Sequence, residues 1–218
     1  MHNATPLPII LIAVILVILL SRKKSDPEEK RSKALSGLAK KLQLQFSPNG
    51  DFDVPKRFSF LSWLNRGIAP YAYNIFHGYY HNYSVTFFDY TFSDGKYSYY
   101  WSAYALEMKI NFPDLLISHE TRESRIAEAL GKSHITFESA EFSRAFRVRC
   151  SDKKFAFEIC HPQMMEYLLA NQDLTIEVSG RAVAVLFEDW LRPEKAEHNL
   201  SRLVEIRKLL PDYLFAKN

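Results

Sequence analysis

The chain has 218 residues, 47% hydrophobic and 24% charged, which suits one ordinary folded domain and excludes a disordered or low-complexity protein. Its net charge of +3 is unevenly placed: residues 22–57 carry ten Lys/Arg against five Asp/Glu, and residues 58–218 carry 18 against 20. A nucleic-acid module bears its basic surface on the folded domain, so nucleic acid is excluded as a partner; two cysteines exclude a disulfide-dense scaffold.

Residues 4–21 contain no Asp, Glu, Lys or Arg, and Leu7 to Leu20 is apolar throughout. As a helix those 18 residues span about 27 Å, close to the hydrocarbon thickness of a bilayer, so they predict a transmembrane helix. A cleaved signal peptide needs positive charge before the apolar run and small residues after it. Here only Met1 and His2 lead in, and Ser21-Arg22-Lys23-Lys24 follows. The basic flank of Arg22, Lys23 and Lys24 sets the orientation: N-terminus outside, C-terminal domain in the cytoplasm. There Cys150 and Cys160 stay reduced; on the other side of the membrane they become candidates for pairing.

Residues 22–46 predict a basic juxtamembrane helix. Ser25-Asp26-Pro27-Glu28-Glu29 supplies a cap, a first-turn proline and first-turn acids. Leu35, Leu38, Ala39, Leu42 and Phe46 then recur at helical spacing. Such a stripe either packs on the domain or lies on anionic lipid; Gly37 weakens a free-standing helix and favours packing.

Residues 47–218 predict a single α+β domain. From Tyr71 to Ile110 the apolar period falls to two, and ten of the twelve Tyr lie between Tyr71 and Tyr104. Asp94-Gly95 signals a two-residue hairpin turn, which places Phe92 opposite Tyr97, Tyr90 opposite Tyr99 and Phe88 opposite Trp101. A preceding strand around Asn74–Tyr79, joined through Tyr80-His81-Asn82, completes a meander. Further on, the pattern predicts a helix over 121–130 closed by Gly131, short strands at 135–137 and 146–149, and a helix capped by Ser151-Asp152 through Ile159. A second helix follows Pro162, then a second hairpin of 174–178 and 182–187, and a last helix from Pro193 to Leu210. Grouped strands and helices favour largely antiparallel sheet flanked by helices.

Two blocks carry a resemblance. One is Gly67 with Asn74-Ile75-Phe76-His77-Gly78 and Val85-Thr86-Phe87-Phe88-Asp89-Tyr90. The other is Glu141 to Val148 followed by Met164-Met165-Glu166-Tyr167-Leu168-Leu169. With the apolar N-terminus, they make the chain resemble a widespread family of membrane-anchored bacterial proteins of unknown function. The resemblance implies one tethered domain at the inner membrane and brings no catalytic residue with it.

The residues themselves offer little chemistry. Cys160-His161 are sequence neighbours, whereas a catalytic Cys/His pair comes from separate elements, so a buried structural thiol is the simpler reading. His77, His81 and Asp89 as metal ligands lack a third His or Cys at suitable spacing. No dinucleotide, P-loop, nucleophile-elbow or zinc-protease motif occurs, so neither cofactor nor catalytic residues are expected. The aromatic hairpin has two readings: a two-sided core, or an exposed patch of Phe88, Tyr90, Phe92, Tyr97, Tyr99 and Trp101 that binds a partner, an apolar ligand or the membrane interface. The leading expectation is a membrane-tethered, non-enzymatic interaction domain; the alternatives are a lipid- or small-molecule-sensing domain and, third, an enzyme of unrecognised type.

Overall fold

The computed structural model describes residues 27–120 and 134–215. The apolar run 4–21, Arg22 to Lys24 and the expected helix at 121–130 lie outside the described residues. Among the described residues, no helix is long and apolar enough to cross a membrane.

Helix α1 (Pro27–Leu42) has Glu28 and Glu29 in its first turn and Lys40 and Lys41 in its last, matching the helix dipole. Leu35, Leu38 and Ala39 are buried, so its apolar stripe packs on the domain. The helix ends before residue 46. Gln43 takes a φ of 56°, and β1 (Gln45–Ser47) pairs antiparallel with Ile75–His77. The local alternation of Gln45, Phe46 and Ser47 decides this, because it turns Phe46 onto Phe76 with ring centroids 4.6 Å apart.

A meander follows: β2 (Ile68–Tyr80), β3 (Tyr83–Ser93) and β4 (Ser98–His119). His81 and Asn82, with φ of 48° and 66°, make the tight turn between Tyr80 and Tyr83. The β3–β4 register corrects the sequence expectation by two residues. Phe92 lies opposite Tyr99 and Tyr90 opposite Trp101, with Asp94 to Tyr97 as a four-residue loop. Asp94 Oδ1 accepts from the Lys96 and Tyr97 amides at 2.8 and 2.7 Å, and Oδ2 accepts from the Tyr99 hydroxyl at 2.7 Å. These bonds organise the wider loop. A shift of two leaves every side chain on its expected face.

The long strand β4 is the spine of the sheet. One edge takes β3 along residues 98–106 and then β5 (Phe146–Cys150) along 115–119; the other takes β6 (Thr175–Phe187). All of these pairings are antiparallel, and the fold is α+β. The expected second hairpin is a correction: β6 is one bulged strand. Gly180 sits at the bulge with a φ of 50°, and a Cβ there would lie 2.8 Å from the Phe60 ring. The glycine bends the strand under Phe60 without reversing it. Residues 135–137 contribute one bridge, Ile135 to Val148, and no strand.

Both sheet faces are covered, which is why the hairpin shows aromatics on each side. On one face α1, α4 (Lys153–Ile159), α5 (Pro162–Leu169) and α6 (Pro193–Leu209) pack over Phe76, Phe87 and Tyr104, whose rings stack at 4.3 and 5.1 Å. On the other, α2 (Asp53–Arg57) and the 3₁₀ turn Ser62–Asn65 bring Val54, Phe58, Leu61, Trp63 and Leu64 over Phe88, Tyr90, Phe92 and Trp101. Helix α3 (Ala140–Ala145) adds Phe142 to the first core.

Candidate functional site

On the α1/α6 face the β3–β4 pairs run Val85–Leu106, Phe87–Tyr104, Asp89–Ser102 and Thr91–Tyr100. The first two pairs are core. At the third the chemistry changes, because the N-termini of α1 and α6 lie here and the helix layer ends.

Asp89 is fully buried at this boundary. It accepts from Asn74 Nδ2 at 2.8 Å, from the Leu191 amide at 2.7 Å and from Arg31 Nη2 at 2.5 Å. Arg31 also donates to the Leu191 carbonyl at 3.0 Å and lies 5.6 Å over the Trp190 ring. Asn74 reaches Asp89 from a β2 bulge, where its φ is 49°. One carboxylate and one guanidinium therefore hold both backbone groups of Leu191 and fix the loop that presents Trp190. Burial raises the Asp89 carboxyl above its ordinary range, although Asn74, Leu191 and Arg31 all favour its charged form.

Beyond Asp89 the sheet projects past the helices as an aromatic shelf. Tyr73 lies opposite Asp89, and Tyr71 and Tyr100 both lie opposite Thr91. Trp190 stacks on Tyr100 at 4.2 Å and meets Tyr73 edge-on at 6.4 Å. Tyr71 stacks on Tyr73 at 6.0 Å, and Phe52 reaches Tyr71 at 4.9 Å. Trp190 is 42% exposed and Tyr100 41%. Two grooves flank Trp190. The larger, about 780 Å³, is lined by Pro27, Lys30, Arg31, Ala34, Leu191 and Pro193 among others. The smaller, about 350 Å³, is polar, with Asp173, Lys195, His198 and Arg202 above Ser102 and Phe187. Its charges are partly spoken for: Arg202 forks onto Asp173, and Arg192 pairs with Asp189 at 2.6 Å.

The patch expected from the sequence is not an exposed surface. Phe88, Tyr90, Phe92 and Trp101 are buried beneath α2 and the 3₁₀ turn, and the Tyr90 hydroxyl donates to the Leu64 carbonyl at 2.8 Å. Tyr99 is half-buried beside Phe92, and Tyr97 is exposed at the hairpin tip. Five of the six share one sheet face, as expected, but that face is covered; only Tyr97, in the loop, stands apart from it. The sequence pattern does not single out exposed Tyr100 and Trp190 or half-buried Tyr73 beside them. The signal that marks them is the small polar set Thr91, Ser93, Ser98 and Ser102, which flags where the apolar cover on that face stops.

The other candidates are placed as follows. Cys160 is buried at the end of α4, where burial pushes its thiol well above the ordinary range, and neighbouring His161 bonds the Leu209 carbonyl through Nε2 at 2.8 Å. His77 bonds Thr86 at 3.0 Å on the sheet face opposite Asp89. Among the described residues, no group of three or more His, Cys, Asp or Glu is placed to hold a metal.

No family model and no curated protein matches the chain. Among solved structures, the fold is similar to the crystal structure of the mycobacterial trehalose monomycolate transport factor A, TtfA, with a TM-score of 0.62 at 13% identity. The match covers 82% of this chain and 95% of that one.

Proposed function

We propose that this chain is a membrane-tethered, non-enzymatic interaction domain whose working surface is the aromatic shelf around Tyr73, Tyr100 and Trp190. One observation carries the reading: exposed Tyr100 and Trp190, stacked on one another beside half-buried Tyr73 and held by the Arg31–Asp89–Leu191 knot, lie at the end of the domain where α1 begins. Exposed aromatic clusters mark contact surfaces, and here four buried or part-buried hydrogen bonds at Asp89 and Arg31 hold the loop that presents Trp190. The charge asymmetry of residues 22–57 supports a cytoplasmic domain with its N-terminus outside.

The alternative, a sensor of lipid or small molecules, loses its internal aromatic pocket, since those rings fill a core. It keeps the 780 Å³ groove beside α1, a size that suits a small ligand.

Alkaline extraction and protease accessibility test the tether. The full chain should stay with washed membranes, deletion of residues 4–21 should release it, and added protease should reach the domain only from the cytoplasmic side. Release of the full chain by carbonate would refute the reading.

A further inference from the structure

We infer that the occupant of the aromatic shelf is the lipid–water interface itself, so that the domain sits on the bilayer and does not hang from it. The inference rests on the tethered reading above and names the partner of that surface.

Reach is the first argument. Six residue steps separate Ser21, the last of the charge-free run, from Pro27, the first residue of α1. Fully extended they cover at most about 22 Å. Pro27 therefore lies within that distance of the hydrocarbon edge, and Trp190 lines the same groove as Pro27, which keeps the aromatic shelf near the bilayer. Headgroups fill about 5–7 Å of that distance.

Chemistry is the second. The shelf consists of Tyr71, Tyr73, Tyr100 and Trp190, side chains with an apolar body and a polar tip, the types that concentrate at membrane interfaces. The hairpin tip at the same end of the meander adds exposed Ile68 and Tyr97, with Lys96 over the Tyr97 ring at 5.0 Å. Formal charge along the groove beside the shelf is balanced: Lys30, Arg31 and Arg192 share its lining with Glu28, Asp189 and Glu194. Ring burial therefore supplies the contact, and Arg22, Lys23 and Lys24 supply the attraction to anionic headgroups.

The distribution of tryptophan makes the test clean. Of the three, Trp63 and Trp101 are 1% and 3% exposed, and Trp190 alone faces outward. The full chain is reconstituted into phosphatidylcholine–phosphatidylglycerol vesicles whose acyl chains are brominated near the headgroup, and its emission is compared with that in unbrominated vesicles. Bromolipid should quench the wild type by about a third, the share of one tryptophan in three, and leave Trp190→Phe unquenched. Equal emission in the two lipids, or equal quenching of wild type and variant, would overturn the inference. Flotation of the same vesicles separates the two claims: a chain that floats unquenched is tethered but not seated, and a chain that fails to float loses both.

Discussion

Asp89 on β3 and Arg31 on α1, 58 residues apart in sequence, meet at 2.5 Å where the sheet emerges from its helical cover. The carboxylate is wholly buried and the guanidinium keeps 26% of its side-chain surface in contact with solvent. This pair fastens the helix that follows residues 4–26 to the centre of the sheet, and through Leu191 it also positions Trp190.

Removing the carboxylate leaves the Leu191 amide, Asn74 and Arg31 without their acceptor. Asp89→Ala should cost about 3 kcal/mol of unfolding free energy, within the range for breaking a buried charged pair. Arg31→Ala should cost less, about 1 kcal/mol, because water reaches that side of the pair. Urea denaturation of the two variants checks the order. In Arg31→Ala the Trp190 emission should also shift as the loop loosens.

A second prediction concerns pH. Glu177 is buried beneath the 3₁₀ turn, where it accepts from the Ser62 amide at 2.6 Å, and burial pushes its carboxyl up to about 7. The folded state thus holds this proton more tightly than the unfolded chain does. Its contribution favours folding at low pH and declines as pH rises from about 4.5 to about 7. Over that window this group should cost about 3 kcal/mol, and Glu177→Gln should flatten the curve. Thermal melts of both proteins at pH 5 and pH 8 report the difference.

The aromatic hairpin supplies a third. Trp101→Ala should destabilise by about 3–5 kcal/mol, as a large core truncation does, whereas Tyr97→Ala should stay within about 0.5 kcal/mol. Equal and small effects would place Trp101 on a surface.

Thiol chemistry supplies a fourth. Cys160, buried with a raised pKa, should resist maleimide in the native protein and react only on unfolding. Half-buried Cys150 should label first. Mass spectrometry after a short labelling pulse distinguishes them.

Local signals in the sequence decided much of this fold. Period-two aromatics placed β3 and β4, Asp152 capped α4, and Pro162 and Pro193 opened α5 and α6. What failed was decided at a distance. The β3–β4 register depended on the Asp94 side chain outcompeting a two-residue turn. The continuity of β6 depended on Phe60, 120 residues away, resting on Gly180. The site was hidden for the same reason. Alternation shows that Phe88 and Tyr100 point to opposite faces, but which face runs out of cover depends on where α1 and α6 begin. Asp89 looked like an imagined metal ligand because its partners Arg31 and Leu191 are remote in sequence.

The central claim is that the working surface is the end of the domain where α1 begins. Site-specific photo-crosslinking in intact membranes addresses it most directly, with a benzophenone side chain placed at Tyr100 or, as a control, at Phe157, an exposed aromatic on α4. Position 100 should capture membrane components, and position 157 should capture none above background. Equal capture at the two positions, or capture at 157 alone, would contradict the account.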